Sequence, residues 1–291
     1  MVFVNQLSPV MMAEAGLKYK KRYGKKVVLY SLDLWPQSLV VGGIKEGSII
    51  YRVFDKISKR IYRQVDSLLI TSKTFKEYFT RKIGFNEQKI TYLPQYAESQ
   101  FLGLKEKTPT DQFRLLFAGN LGTAQSVHTI VESARLLKDQ KIIFDIVGDG
   151  SEFGNLKESA KDLPNVIFHG RKSLDETAEF YQNADATLIT LTPDVLASST
   201  LPGKVQSYMA AGKAIVGAVN GETAAVLAKA QGDYCASAGD SVALAEYIKK
   251  LVASGNAVEI GKKNREYYLN TFSKEKFFEV LIDALEKAIK E

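Results

Sequence analysis

The chain has 291 residues, of which 45% are hydrophobic and 25% charged, and 39 Lys and Arg against 33 Asp and Glu give a formal net charge of +6. This composition excludes a disordered chain, a collagen-like repeat and a disulfide scaffold, and the length favours two domains. One cysteine, Cys235, and two histidines are too few for a disulfide or a zinc site, which indicates a reducing compartment. No positively charged leader and no run of about 18 apolar residues stands out, so we expect neither a signal peptide nor a spanning helix.

Residues 1–95 alternate short apolar strands with helices. The predicted strands are 2–5, 26–31, 67–71 and 89–93, and the predicted helices are 9–23, 49–64 and 73–82. Continuous apolar strands separated by helices are typical of a parallel sheet covered on both faces. These residues hold 17 Lys and Arg against 7 Asp and Glu, a balance of +10, which leaves −4 for the rest of the chain. We therefore expect the two parts to meet different partners.

A polar stretch, residues 96–112, is predicted as a linker. A second alternating series follows, with predicted strands at 114–118, 142–147, 166–169, 186–190 and 214–217 and a long amphipathic helix at 274–290. We predict an α/β protein of two doubly wound parallel-sheet domains, with ligand bound in a cleft at the carboxyl ends of the strands. The predicted boundaries are 1–95 for an incomplete first domain, 96–112 for the linker, 113–272 for the second domain and 273–291 for a helix that packs back toward the first.

Several turns after these strands carry glycine or basic residues. They are FAGNLG (117–122), VGDG (147–150), FHGRKS (168–173) and SSTLPGK (198–204). Backbone N–H groups and a lysine early in a helix suit a diphosphate. Each turn alone is equally explained as a tight strand–helix connection or a loop with solvated charges, and the dinucleotide spacing G-x-G-x-x-G is absent. Because parallel strands end at the same edge of a sheet, we expect the turns to lie together.

Taken in order, FAGNLG, VGDG and YMAAGKAIVGAVNGE (208–222) resemble the donor-binding domain of family 4 glycosyltransferases of the GT-B fold, especially bacterial enzymes of cell-surface polysaccharide and O-antigen synthesis. VVLYSLDLWPQSL (27–39) and KITYLPQ (89–95) resemble the acceptor-side domain of the same family, so the similarity covers nearly the whole chain. The resemblance implies two Rossmann-like domains facing across a cleft. It also implies that the second domain binds a nucleotide diphosphate sugar, that the anomeric configuration is retained, and that no metal or other cofactor is required.

The resemblance further implies which residues bind the donor, which we expect to be a UDP-sugar. The base would lie near the backbone of 148–150 and 169–172, and the diphosphate near 119–122 and the loop 199–204. The implied donor-binding residues are Gly119, Asn120, Gly122, Gln125, Gly148, Asp149, Gly150, His169, Gly170, Arg171, Ser199, Thr200, Leu201, Pro202, Gly203, Lys204, Ser207 and Glu222.

The sequence also departs from the family pattern. Asn120 and Gln125 stand where members often carry cations, which shifts neutralisation of the diphosphate to Lys204 and Arg171. Ser199 and Ser207 occupy the positions of the family's paired glutamates. The second of those glutamates accepts hydrogen bonds from the ribose, and a neutral bond is roughly half as strong as a charge-assisted one.

The resemblance also implies that the first domain begins partway through the family's acceptor domain, and we expect about three strand–helix units to be missing from its start. This implies a fragment or truncated form, or a second polypeptide or homo-oligomer that covers the exposed sheet.

Asp33 follows the predicted strand 26–31 and is the candidate catalytic residue, as an acceptor-hydroxyl contact or a base. The alternative is a carboxylate that caps the turn before Pro36. Residues 45–63 form a basic amphipathic helix that suits an anionic membrane surface, with a core-facing helix and a solvated charged face as the alternative. Nucleic acid is not expected, because no recognised binding module accompanies the charge.

These features imply a retaining glycosyltransferase of capsule, exopolysaccharide or O-antigen synthesis. It would move a sugar from a nucleotide diphosphate to a membrane-associated, lipid-linked saccharide or glycan acceptor, in the cytoplasm at the inner face of the cell membrane. Two alternatives stay open: a non-catalytic GT-B-like subunit or truncated form that partners an active glycosyltransferase, and a sugar-nucleotide epimerase of the same architecture.

Overall fold

The computed structural model describes residues 1–105, 107 and 110–290. The chain divides into two compact units: unit 1 comprises Met1–Gln95, Ser199–Leu201 and Lys274–Glu291, and unit 2 comprises Tyr96–Ser198 and Pro202–Ser273. Residues 106, 108 and 109 of the predicted linker and residue 291 of the predicted C-terminal helix lie outside the described residues.

Unit 1 is built on a four-stranded parallel sheet in the order β1-β2-β3-β4. Its strands are β1 (Val2–Gln6), β2 (Val27–Ser31), β3 (Ser67–Ile70) and β4 (Ile90–Tyr92). Its helices are α1 (Glu14–Tyr23), α2 (Ser38–Val41), α3 (Ile49–Tyr62), α4 (Phe75–Glu77), which continues into a π-helical segment over Tyr78–Ile83, and the C-terminal helix, numbered α13 below (Lys274–Lys290).

The C-terminal helix belongs to the core of unit 1. Ala284 and Ala288 pack in one buried cluster with Val28, Tyr30 and Leu69 of the sheet. All five residues of β2 are buried, as expected of a central strand covered on both faces. The amphipathic period of this helix therefore reflects burial of its apolar stripe against the sheet of unit 1.

Unit 2 contains a six-stranded parallel sheet in the order β10-β9-β8-β5-β6-β7. Its strands are β5 (Phe113–Ala118), β6 (Ile142–Val147), β7 (Val166–Gly170), β8 (Ala186–Thr190), β9 (Ala214–Ala218) and β10 (Cys235–Ala236). Its helices are α5 (Val127–Leu136), α6 (Phe153–Ser159), α7 (Leu174–Asn183), α8 (Val195–Ser199), α9 (Gly203–Ala210), α10 (Gly221–Gln231), α11 (Ser241–Ser254) and α12 (Ala257–Thr271).

The strand order of unit 2 is that of the doubly wound Rossmann sheet. From β5 the chain proceeds to β6 and β7 on one side, and then returns to β8, β9 and β10 on the other. The order therefore reverses between β5 and β8. Open parallel sheets bind ligands at the carboxyl ends of the two strands that flank such a reversal.

The described part of the predicted linker packs with unit 2. Phe101 lies in a 3-10 turn over Ser99–Leu102, is buried, and stacks on Tyr181 with ring centroids 4.4 Å apart. The short strand β10 and the helix α2 were not predicted from the sequence. Within the described ranges, no helix combines the length and apolar content that a bilayer span requires.

Candidate anion-binding site

The turns after β5 and β6 are joined by backbone hydrogen bonds. The amide of Gly119 donates to Val147 O, and that of Leu121 donates to Asp149 O, each over 2.9 Å. Gly148 has φ +142, and a Cβ there would collide with the carbonyl of Gly119. Gly148 is therefore required because the two turns approach closely. This agrees with the alternative that the VGDG motif forms a tight strand–helix connection.

Residues 119–122 have four backbone amides that we predicted to contact a diphosphate. Two of them are already used in these hydrogen bonds. Gly119 and Leu121 donate to the neighbouring turn, so this turn can offer at most the amides of Asn120 and Gly122 to a ligand. The amide of Gly150 donates to the carboxylate of its neighbour Asp149 over 2.8 Å. A diphosphate placed here would find few free amides in these two turns, so it would need a cation nearby.

Lys204 brings that cation to the carboxyl end of β5. It is the second residue of α9, and its ammonium donates to Gln125 Oε1 over 2.7 Å. The Nζ atom also lies 4.0 Å from the ring centroid of Phe117. A Cβ on Gly119 would lie 2.9 Å from Nζ, so the missing side chain leaves the space that the ammonium fills.

Burial changes the acidity of this lysine. The side chain is half-buried along its length, and desolvation of its ammonium lowers the pKa of Lys204 to about 7. An anion bound beside Nζ would favour the charged form and raise that pKa again. The group is therefore a cation that a negatively charged ligand would stabilise.

The lysine contact lies at the reversal of strand order. Thr190 ends β8, and its hydroxyl donates to the carbonyl of Gln125 over 2.6 Å. The amide of Thr192 donates to the carbonyl of Ala124 over 3.1 Å. The end of β8 thus holds the turn that follows β5 in place. This also positions the side-chain amide of Gln125, whose oxygen contacts Lys204.

Another predicted residue, His169, is held in structural contacts. His169 Nε2 lies 2.8 Å from Asp145 Oδ1, and its ring lies against Phe180 with centroids 4.4 Å apart. Arg114 donates to both oxygens of the buried Asp145, over 2.9 and 2.6 Å. The imidazole is therefore part of a hydrogen-bonded network across β5, β6 and β7, which the sequence did not reveal. Arg171 and Gly170 follow at the end of β7, where Arg171 is exposed.

Ser199, Thr200 and Leu201 are grouped with unit 1. Thr74 Oγ1 donates to the carbonyl of Ser199 over 2.5 Å, and the amide of Leu201 donates to Ser72 Oγ over 2.8 Å. Pro202 is the residue before α9 and Gly203 is its first residue, both within unit 2.

An acid lies beside one of the two serines that replace the family's glutamates. Ser207 Oγ donates to Glu98 Oε2 over 3.4 Å and to the carbonyl of Gly203 over 3.3 Å. Glu98 lies in the predicted linker and is exposed. Sequence reasoning missed it, because its contact with α9 spans 109 positions of the chain. Glu222, a predicted donor-binding residue, is buried in the first turn of α10.

Asp33 follows β2 in unit 1. Its carboxylate accepts a hydrogen bond from the hydroxyl of Ser8, and its backbone carbonyl accepts from Ser31 Oγ over 2.8 Å. Trp35, two residues on, is buried and packs edge-on against Phe54 of α3 at 5.7 Å. The half-buried Asp33 therefore stands at the carboxyl end of the sheet on a turn anchored by an aromatic core.

The family model described as "Glycosyl transferases group 1" matches residues 112–254. The probable glycosyltransferase WbjE of Pseudomonas aeruginosa is 26% identical over 207 residues, which cover 66% of this chain and 51% of WbjE. The putative colanic acid biosynthesis glycosyl transferase WcaI of Escherichia coli K12 is 23% identical over 221 residues, which cover 70% of this chain and 54% of WcaI. The chain thus spans about half the length of the curated relatives it matches.

Among solved structures, Anabaena HepE, crystallised with UDP and glucose, aligns with a TM-score of 0.78 at 12% identity, covering 98% of this chain and 77% of HepE. At this identity the likeness concerns the fold alone. Together with the two parallel sheets, it confirms the GT-B-like α/β fold predicted from the sequence.

Proposed function

We propose that this chain, whose residues 112–254 match the family model of group 1 glycosyltransferases, transfers a sugar from a nucleotide diphosphate sugar, a UDP-sugar, to a saccharide acceptor. In the reaction the bond between the anomeric carbon and the diphosphate oxygen breaks, and a bond from that carbon to an acceptor hydroxyl oxygen forms. The hydroxyl proton leaves with the departing diphosphate or to a carboxylate. Configuration at the anomeric carbon is retained, and no metal is required.

The position of Lys204 carries this proposal. Its ammonium lies at the reversal of strand order, beside Gln125 of the turn after β5 and the ring of Phe117, and the contacts given above include no carboxylate partner. A diphosphate placed there would gain a charge-assisted hydrogen bond from Nζ. The same cation would stabilise the negative charge that develops on the diphosphate as the sugar departs.

We propose that Glu98 supplies the acid that the family pattern places at position 207. Its carboxylate lies one hydrogen bond from Ser207, and Ser207 follows Lys204 by three residues on α9, so both project from the same helix face. A carboxylate beside the helix that carries the phosphate-binding cation suits the hydroxyl groups of a ribose. The loss of the glutamate from α9 is in this way compensated from another segment.

On the acceptor side, Asp33 is the candidate to contact or deprotonate the acceptor hydroxyl, from the carboxyl end of the unit 1 sheet. The acceptor is a lipid-linked saccharide of cell-surface polysaccharide synthesis. The similarity to WcaI, a putative colanic acid biosynthesis glycosyl transferase, supports the polysaccharide role by analogy. The basic residues 45–63 would hold the protein at the anionic inner face of the cell membrane.

Calorimetry with UDP, GDP and dTDP tests the donor site directly. We expect UDP to bind most tightly to the folded chain, and transfer of labelled sugar from the matching UDP-sugar to a lipid-linked acceptor to follow. Failure of all three nucleotides to bind a chain that circular dichroism shows to be folded would remove the donor-site proposal.

A second candidate is a subunit that partners an active glycosyltransferase. It is favoured by β1, an edge strand with exposed Phe3 and followed by exposed Leu7, which a second polypeptide or a second copy of this chain would cover. Assays with and without the products of neighbouring genes separate the candidates. Transfer by the chain alone supports the enzyme, whereas transfer only in a mixture supports the subunit.

A further inference from the structure

The first turns of α3 expose three apolar side chains to solvent. Ile49 is 82% exposed, Ile50 56% and Val53 53%. We call these three residues the α3 tip. The second half of the same helix is ordinary core, with Ile61 and Tyr62 fully buried. The apolar stripe seen in the sequence is thus divided: its C-terminal part packs on unit 1, and its N-terminal part has no burial to explain it.

The tip stands at the same end of the unit 1 sheet as Asp33. The amide of Asp66, which follows α3, donates to the carbonyl of Val27 over 2.9 Å, so α3 ends near the start of β2. A helix of 14 residues is about 21 Å long, so its first turn lies toward the end of β2 from which Asp33 continues. Phe54, one residue after the tip, packs on Trp35 of the same turn.

The surroundings of the tip are basic. Residues 45–63 hold six cations, Lys45, Arg52, Lys56, Lys59, Arg60 and Arg63, against Glu46 and Asp55. Both carboxylates form ion pairs with lysines, Glu46 with Lys82 at 3.7 Å and Asp55 with Lys59 at 2.7 Å. Lys45, Arg52 and Lys56, the cations nearest the tip in sequence, are exposed. A basic rim around exposed apolar side chains is complementary to an anionic bilayer, whose phosphates lie just above its acyl chains.

We propose that the α3 tip inserts into the interface of a bilayer containing anionic phospholipid, with Lys45, Arg52 and Lys56 on the lipid phosphates. Docking in this manner sets the carboxyl end of the unit 1 sheet, with Asp33, against the membrane surface. This inference rests on the proposed function for its meaning, since a lipid-linked acceptor presents its saccharide at that surface. The proposed function gives residues 45–63 a general electrostatic attraction to the anionic membrane. The present proposal is more specific, since one turn of α3 inserts into the bilayer interface.

Vesicle co-sedimentation tests the proposal with the full chain and no nucleotide present. The probes are vesicles of phosphatidylcholine alone and of phosphatidylcholine with phosphatidylglycerol. The test variant is Ile49→Gln/Ile50→Gln/Val53→Gln, which keeps good helix formers in exposed positions. The matched control is Val242→Gln/Val258→Gln, since these valines are 62% and 71% exposed on helices of unit 2.

We expect the wild type and the control to bind the phosphatidylglycerol vesicles equally, and the test variant to bind them at least about 10-fold more weakly. The variant Arg52→Gln/Lys56→Gln should weaken binding and reduce its salt dependence. Equal binding by the test variant and the wild type overturns the proposal. The proposal is also overturned if the wild type binds both kinds of vesicle equally. It is overturned as well if the only effect of the tip substitutions is to convert a dimer of the chain to a monomer.

UDP calorimetry without vesicles, run on the same proteins, separates this inference from the proposed function. If the chain binds vesicles through the tip but does not bind UDP, the donor-site proposal is wrong and the membrane-docking proposal stands. If the chain binds UDP but not vesicles, the membrane-docking proposal is wrong and the donor-site proposal stands.

Discussion

The ammonium of Lys204 donates to Oε1 of Gln125 over 2.7 Å, joining the start of α9 to the turn that follows β5. The partner is a neutral amide, and desolvation is the cause of the lowered pKa of Lys204. A cation kept in this state costs stability, because the unfolded chain hydrates the ammonium fully. Such a cost at the point where an α/β sheet binds ligand is typical of a functional group.

Replacing Lys204 with Met should weaken UDP binding and stabilise the free protein. The lost charge-assisted bond is worth about 1.5–3 kcal/mol, or roughly 10- to 100-fold in affinity. Removal of the desolvated ammonium should raise the free energy of unfolding by about 1 kcal/mol at pH 7. Calorimetry and urea denaturation measure the two effects.

Lys213→Met is the control for that experiment. Lys213 is also desolvated, with its pKa lowered to about 8, but its ammonium donates to the carbonyls of Gln182 and Ala184. Its loss should lower stability and leave UDP affinity unchanged. If both variants bind UDP as the wild type does, Lys204 is not the diphosphate cation.

Binding of a UDP-sugar should take up a proton above neutral pH. The free protein loses the Lys204 proton near pH 7, and a bound diphosphate raises that pKa, so the complex holds more protons than the free protein at pH 8. Affinity should therefore fall as pH rises above 7. Calorimetry at pH 8 in buffers of different ionisation enthalpy measures the uptake, which should vanish in Lys204→Arg because a guanidinium stays protonated.

The same pKa shift has a consequence for stability. The unfolded chain keeps the Lys204 proton up to the ordinary value of 10.5, whereas the folded chain loses it near 7. The unfolded state binds more protons between these values, so this residue makes the free energy of unfolding rise with pH in that window. The rise should be absent from the Met variant, and an identical pH profile for both proteins would contradict the assignment.

Glu98→Gln should weaken UDP binding about 10-fold, because a charged acceptor of the ribose hydroxyls becomes neutral. Ser207→Ala should cost less, since the hydroxyl supports the carboxylate at 3.4 Å and does not replace it. The two effects should be less than additive, as expected of residues in contact. Glu266→Gln, an exposed acid on α12, serves as the control. If the Glu98 variant binds UDP as tightly as the wild type does, Glu98 does not accept hydrogen bonds from the ribose. Ser207 would then be the remaining candidate.

Gly148→Ala should lower the free energy of unfolding by about 2 kcal/mol or more, because a Cβ would meet the Gly119 carbonyl and φ is +142. Gly154→Ala is the matched substitution in α6, where no atom lies within 4 Å of the new Cβ. It should be neutral or raise stability by up to about 1 kcal/mol. Urea denaturation measures both, and equal stabilities would contradict the packing of the two turns.

Asp33→Asn should abolish sugar transfer while UDP affinity stays within about 2-fold of wild type. Loss of a general base typically lowers the rate about 100-fold or more. Ser8→Ala, which removes only the hydrogen-bond donor to the Asp33 carboxylate, should have a smaller effect. A variant that transfers sugar at the wild-type rate would leave Asp33 with a turn-capping role alone.

Much of the fold follows from local patterns in the sequence. Mostly apolar, β-branched runs such as 142–147 and 186–190 coincide with β6 and β8, because a strand buried on both faces is apolar at most of its positions. The two-residue strand β10 escaped prediction, since a run of that length has no period. The sequence also predicts that Gly148 lies in a turn and that Lys204 lies at the start of a helix. Turns and helix starts can be predicted because they depend mainly on neighbouring residues.

Contacts between distant segments decided the rest. Local patterns predict two parallel-sheet units, their glycine turns and a lysine early in α9. Folding then pairs Lys204 with Gln125, places His169 against Asp145 and brings Glu98 beside Ser207, and it leaves the α3 tip exposed while Ile61 and Tyr62 of the same helix are buried. The physical reason is that period and propensity act over a few residues, whereas the surroundings of a charge and the burial of an apolar face depend on which elements the chain brings together.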